Sequence, residues 1–160
     1  MTARNGHKVL LLLCLAIFLS ACSRSGPEAD NFNFTFKYGV MYKNELDTFN
    51  DIYTKDLVMD GVTTTTLKLS REDRQRIYEC MTEIDIRDYR GVQQGLFFMP
   101  QSGFQFEIQM NEEKISIDWI GGFREDPKDQ NFKRLVTLIQ EIIESKDEYR
   151  DLPEANGYYL

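Results

Sequence analysis

Residues 103–122 read GFQFEIQMNEEKISIDWIGG, and this stretch decides the fold. Phe104, Phe106, Ile108 and Met110 fall on every second position. Asn111, Glu112 and Glu113 interrupt the pattern, and Ile115, Ile117 and Trp119 resume it. Side chains alternate across a strand, so each arm has one face to bury, and the polar centre is a turn. The stretch predicts a β-hairpin ended by Gly121 and Gly122.

Working outward, residues 32–38 alternate in the same way. Phe32, Phe34, Phe36 and Tyr38 lie on one face, with Asn33, Thr35 and Lys37 on the other. Residues 43–56 mix strand formers with turn residues and predict a second hairpin, with arms at 45–49 and 52–55 around Asn50 and Asp51. Asp60 and Gly61 signal a turn, and the β-branched run 62–69 (VTTTTLKL) predicts another strand. Ser70 is a good helix cap, with Asp73 three residues on, and Ile77, Met81 and Ile84 recur at helical spacing. A helix is therefore expected over 71–83. A second opens at residues 127–129, carries a stripe of Phe132, Leu135, Val136, Ile139, Ile142 and Ile143, and runs to about residue 148. Residues 91–103 between these elements read as a long irregular segment. The expected fold class is α+β: one antiparallel sheet of about five or six strands with two helices packed on one face, a two-layer sandwich with a polar outer face.

The amino terminus reads separately. Residues 1–8 carry Arg4 and Lys8 and no acid, residues 9–19 are apolar, and Ser20 and Ala21 are small. A basic head, a short apolar run and a small-residue site describe a secretory signal. The run is about eleven residues, against roughly 20 for a bilayer span. Leu19-Ser20-Ala21-Cys22 resembles the lipobox of bacterial lipoproteins. That resemblance implies removal of residues 1–21, a diacylglycerol thioether on Cys22, and anchoring in a membrane leaflet. An ordinary secretory cut beside an incidental cysteine is the alternative. Residues 22–31 then form the lipidated start and a small, polar, proline-bearing spacer. Residues 32–160 form one globular domain.

Removing residues 1–21 takes two of the 19 basic residues and none of the 26 acidic ones, leaving a charge near −9. Such a surface disfavours nucleic acid and anionic lipid. The sole histidine, His7, leaves with the signal, as does Cys14. The remainder has no imidazole for a catalytic triad or a histidine-bound zinc site. Cys80, alone beside a lipidated Cys22, has no intramolecular disulfide partner and reads as a buried, inert thiol between Ile77 and Met81. Neither cofactor nor metal is implied. Chemistry by carboxylate, lysine, serine or tyrosine stays open.

Two segments are candidate ligand or partner surfaces. The first spans residues 43–58 and gathers Lys43, Asn44, Asp47, Thr48, Thr54, Lys55 and Asp56. Such carboxylates and hydroxyls suit a hard cation or a sugar. A solvated hairpin with cross-strand charge pairs is the plainer alternative. The second is the apolar loop with Leu96, Phe97, Phe98, Met99 and Pro100, either a contact surface or a cover for the core. Trp119 with Phe123 reads as core rather than as a sugar platform.

Residues 34–39 (FTFKYG), 43–49 (KNELDTF), 53–58 (YTKDLV) and the tail from Glu144 (ESKDEYRDLPEANGYYL) resemble an uncharacterised lipoprotein family of Gram-positive bacilli. The resemblance implies the outer face of the cytoplasmic membrane and supplies no activity. In a Gram-negative cell, Ser23 after the lipidated cysteine would favour the outer membrane. The expected role is a non-enzymatic binding or interaction module at the cell envelope, with an envelope protein or the cell wall as partner. The alternative is a small envelope hydrolase working on cell-wall glycan with two carboxylates about 5 to 9 Å apart. A cation-dependent adhesin using residues 47–56 is a third reading.

Overall fold

A computed structural model describes residues 31–159. Residues 1–30, which hold the expected signal segment, Cys22 and most of the expected spacer, lie outside the described residues.

The expected alternation becomes β1 (Phe32–Val40), β6 (Ser102–Met110) and β7 (Glu113–Ile120). The second hairpin is β2 (Asn44–Asp47) and β3 (Ile52–Asp56), followed by β4 (Val62–Thr66). A short strand, β5 (Gly91–Gln94), lies inside the segment expected to be irregular. The helices are α1 (Arg71–Glu83), α2 (Pro127–Glu144) and the single turn α3 (Asp147–Arg150), with a 3-10 turn at Ile86–Tyr89.

Two features of the expected sheet are corrected. It has seven strands rather than five or six, in the order β4-β3-β2-β1-β6-β7-β5. It is also mixed, because β5 runs parallel to β7 while every other pair is antiparallel. The cause is connectivity. The β6–β7 hairpin folds β7 into the place between β6 and β5, so β5, which precedes β6 and opposes it, matches β7 in direction. The helical stripe also stops earlier than expected. Backbone helix ends at Glu144, and Lys146 leaves it to contact Asp73 at the start of α1 before α3 begins.

The caps explain where the helices start. Ser70 accepts the Asp73 N–H, and the Asp73 carboxylate accepts the Ser70 N–H, so two end groups are satisfied reciprocally. Asp126 caps α2 through the Asp129 N–H, and Pro127 follows at the first helical position, where its missing donor costs nothing. No helix among the described residues is long and apolar enough to cross a membrane.

The buried face of the sheet carries Phe32, Phe34, Phe36, Leu46, Tyr53, Phe106, Ile117 and Trp119. It shares one core with Ile77 and Met81 of α1 and Phe132, Leu135 and Ile139 of α2. Each such side chain contributes about 1.5 to 3 kcal/mol on burial. The opposite face holds polar pairs: Lys37 with Glu45, and Ser116 donating to Glu107 at 2.6 Å.

Strand direction gives the body two poles. Phe32 pairs with Met110 at one end of β1, and Val40 pairs with Ser102 at the other. The turns at 48–51 and 111–112 lie at the Phe32 pole. The turns at 41–43, 57–61, 95–101 and 121–126 lie at the Val40 pole. Eight steps of strand, at roughly 3.3 Å each, separate the ends of β1 by about 26 Å.

Candidate functional site

The first candidate segment is divided between the poles. Asp47 and Thr48 fall at the Phe32 pole, and both serve the backbone. Asp47 accepts the N–H groups of Phe49 and Asn50 at 2.9 and 3.3 Å, closing the β2–β3 turn. Thr48 is buried, with Oγ1 2.7 Å from Phe34 N and 2.9 Å from Phe34 O. Alternation along β3 puts Lys55 on the same face as Tyr53, beneath the helices. The Lys55 ammonium lies 4.7 Å from the centre of the Tyr149 ring and the residue is buried. Its stem is packed and its charge is held by a π face. Thr48 and Lys55 are thereby withdrawn from any partner.

Lys43, Asn44 and Asp56 do come together, at the Val40 pole. Asn44 Oδ1 accepts the Asp56 N–H at 3.0 Å. Lys43 Nζ donates to the Tyr159 hydroxyl at 2.8 Å, and that hydroxyl donates to Asp56 Oδ2 at 2.6 Å. The hydrogen bond with Tyr159 raises the Lys43 ammonium above the ordinary lysine value. Tyr159 stands more than a hundred residues from both partners, and no local pattern in the sequence marks it. The tail is also pinned through its backbone. Asn156 N donates to Leu57 O at 3.1 Å, and Met59 N donates to Asn156 O at 3.1 Å. Lys43, Tyr159 and Asp56 form a clamp on the tail. Thr54, across from Glu45 in the ladder, stands outside it.

The acids of residues 47–56 do not converge on a cation. Asp47 serves its turn, Asp51 faces Arg74 at 3.4 Å, and Asp56 takes Tyr159. Among the described residues, no three of histidine, cysteine, aspartate and glutamate are grouped as metal ligands. The carboxylates with displaced titration are held as anions. Burial pushes the Asp73 carboxyl up, but hydrogen bonds from Lys146 and Ser70 outweigh it and leave the group below its usual value. Hydrogen bonds from Arg87 and Arg90 lower Glu113. A general acid needs the opposite displacement.

Cys80 lines a groove of about 590 Å³ between α1 and α2, with Arg76, Glu83, Arg134 and Leu138 around it. Burial raises its thiol above the ordinary value, which favours the unreactive protonated form.

The second candidate is the loop 95–101. Its foot is tied by paired backbone bonds between Leu96 and Gly122, at 2.9 and 2.8 Å, and by Arg124 Nη2 on Gly95 O at 3.3 Å. Gly121 is required here. It has φ +92°, and a Cβ on it would stand 2.2 Å from Leu96 O. Beneath the foot, Trp119 stacks on Phe132 at 4.7 Å, so the indole is core, as expected from the sequence. Its Nε1 has no acceptor among the described residues and faces Gly95.

On this foot the side chains point outward. Phe97 is 82% exposed and Met99 74%, with Leu96 and Phe98 also exposed. Met41, Met59 at 76%, Val62 and Tyr158 at 79% emerge elsewhere on the same pole, Met59 and Val62 at the β3–β4 edge of the sheet, opposite β5. Eight of the eleven exposed large hydrophobic side chains among the described residues thus gather at the Val40 pole. Leu96, Phe97, Phe98 and Met99 belong to the apolar loop that the sequence marks. Met41, Met59, Val62 and Tyr158 are isolated apolar residues, and strand direction puts them on this pole. The chain matches no family model, no curated protein and no solved structure.

Proposed function

We propose that this chain is a lipid-anchored envelope module that binds a partner rather than converting a substrate. In this reading, the diacylglyceryl thioether on Cys22 holds it at the outer face of the cytoplasmic membrane, or in the outer membrane of a Gram-negative cell. The lipobox and the resemblance to the bacillar lipoprotein family support the location. The observation that carries the role is the gathering of exposed apolar side chains at the Val40 pole. Exposed apolar side chains concentrated on one end of a body, rather than scattered singly over it, mark a contact site.

Geometry favours a partner away from the anchoring bilayer. Ten steps of chain separate Cys22 from Phe32, and a coil-like spacer of that length would span about 17 Å on average. The strand body alone stands about 26 Å tall, and its loops add to that. A tether entering at Phe32 therefore presents the apolar pole outward.

A photoreactive benzoylphenylalanine at position 97, in intact cells, tests the role, with position 114 at the Phe32 pole as control. A discrete adduct is expected from 97 and not from 114. Equal adducts from both, or none from 97, would overturn it. Cys22→Ser should move the protein from membrane to soluble fractions, and persistence at the membrane would remove the anchor.

A further inference from the structure

The strand β5 is the last of the sheet and leads directly into the apolar loop. In a parallel ladder, alternate residues turn both backbone groups toward the same neighbour. Gly95 N donates to Ile120 O at 2.8 Å, and Gly91 and Gln93 share its parity. Val92 and Gln94 therefore turn their N–H and C=O groups away from β7, toward open solvent. Val92 is 63% exposed. On the helical side of the strand, Lys128 Nζ rests on Gln93 Oε1 at 3.3 Å and on Asp88 O at 3.1 Å. Lys128 has no ion-pair partner among the described residues. Arg90 precedes the strand, and Arg124 sits on Gly95 at its end. Arg90 is held by Glu113 and Arg124 by Asp129 at 3.8 Å, so Lys128 is the cation beside this edge that no carboxylate among the described residues neutralises.

We infer that the outer edge of β5 docks an extended polypeptide segment of the partner protein. The segment pairs its backbone with Val92 and Gln94, sets an apolar side chain beside Val92, and sets a carboxylate beside Lys128. Its continuation packs on Leu96 and Phe97. This deepens the contact reading above and rests on it. The open backbone groups select a polypeptide, because only an in-register backbone supplies alternating acceptors and donors at strand spacing. The Lys128 ammonium selects an acidic one. It also disfavours a second copy, since antiparallel pairing of two β5 edges in one continuous sheet would place two Lys128 side chains on the same side.

The chain has a single tryptophan, and Trp119 aligns with Gln93 in the ladder, so it reports on this edge. The test uses the full chain in detergent and a seven-residue peptide of alternating valine and threonine with one aspartate at its centre. A second peptide carries lysine in place of the aspartate. The acidic peptide is expected to change Trp119 emission, to slow amide exchange at Val92 and Gln94, and to bind at least tenfold more tightly than the basic one. Lys128→Glu, which places an acid in the first turn of α2 where helices tolerate it, should reverse that preference. Val92→Pro removes an outward donor without touching the ladder to β7 and should abolish binding. Equal affinity for the two peptides, or protection at β4 in place of β5, overturns the inference. So does slowed exchange at Val92 that grows with protein concentration without peptide, which would assign the edge to a second copy. If position 97 still gives its adduct while neither peptide protects Val92, the docking mode fails and the contact reading stands. If both signals are absent, both fail.

Discussion

Replacing Asp73 by Asn tests how the two long helices are joined. Asp73 Oδ2 accepts the Ser70 N–H at 2.9 Å, the Ser70 hydroxyl at 2.6 Å and the Lys146 ammonium, and the side chains of Asp73 and Lys146 are 12% and 20% exposed. The asparagine keeps an acceptor for Ser70, so most of the loss falls on the charged contact with Lys146. A hydrogen bond between charged groups contributes about 1.5 to 3 kcal/mol, so a loss near 2 kcal/mol is expected at neutral pH. At about 4 °C per kcal/mol for a domain of this size, Tm should fall by about 8 °C. The effect must depend on pH in one direction. The Asp73 carboxyl lies below its ordinary value in the folded protein, while the unfolded chain titrates near the usual value of about 3.9. Its contribution is therefore full above about pH 4 and is lost as pH falls through the folded pKa. Thermal unfolding of the native chain and the variant, followed by circular dichroism from pH 7 downward, should show two curves that converge in acid. A double-mutant cycle with Lys146→Met should give a coupling above about 1 kcal/mol at pH 7. A deficit unchanged between pH 7 and pH 3, or a coupling near zero, would refute the reasoning. The capping box would then hold the N-terminus of α1 without help from Lys146.

Two further outcomes follow from the packing. Tyr38 and Tyr53 share a hydrogen bond of 2.7 Å, and burial pushes the Tyr38 phenol up to about 12. Tyr53→Phe should cost about 1 to 2 kcal/mol by stranding the Tyr38 hydroxyl. In the native chain, alkaline titration should show stability intact below about pH 10 and lost as pH rises through the folded value; ionisation of the Tyr38 phenol itself at pH 10 without loss of structure, read as the absorbance change missing from Tyr38→Phe, would contradict this. Gly121→Ala sets a Cβ against Leu96 O in a left-handed conformation, which should lift the loop 95–101, shift Trp119 emission to the red, and cost about 1 to 3 kcal/mol. Unchanged emission at native stability would show that the loop does not depend on this contact.

The elements legible in the sequence are those whose own side chains specify them. The alternation of β1, β6 and β7, the cap at Ser70 and the apolar stripe of α2 all needed no partner to be read. The strand β5 was not legible, because Gly91, Val92, Gln93 and Gln94 carry no alternating apolar face. They become a strand only because β7 offers its backbone. The apolar stripe gives no sign of the break after Glu144, beyond which Lys146 reaches the distant Asp73. The candidate hairpin shows the same division. Residue type marks Thr48 and Lys55 as surface, yet the parity of β3 carries Lys55 under the helices, and the Thr48 hydroxyl turns inward to accept the Phe34 N–H. Tyr159 joins Lys43 to Asp56 through a contact spanning most of the chain. The apolar pole is a third case. Met41, Met59 and Phe97 are unrelated in sequence, yet each sits in a turn that closes at the Val40 end of its strands. Strand direction puts all three on one pole, and mutating Phe97 should leave the fold intact while weakening the proposed contact.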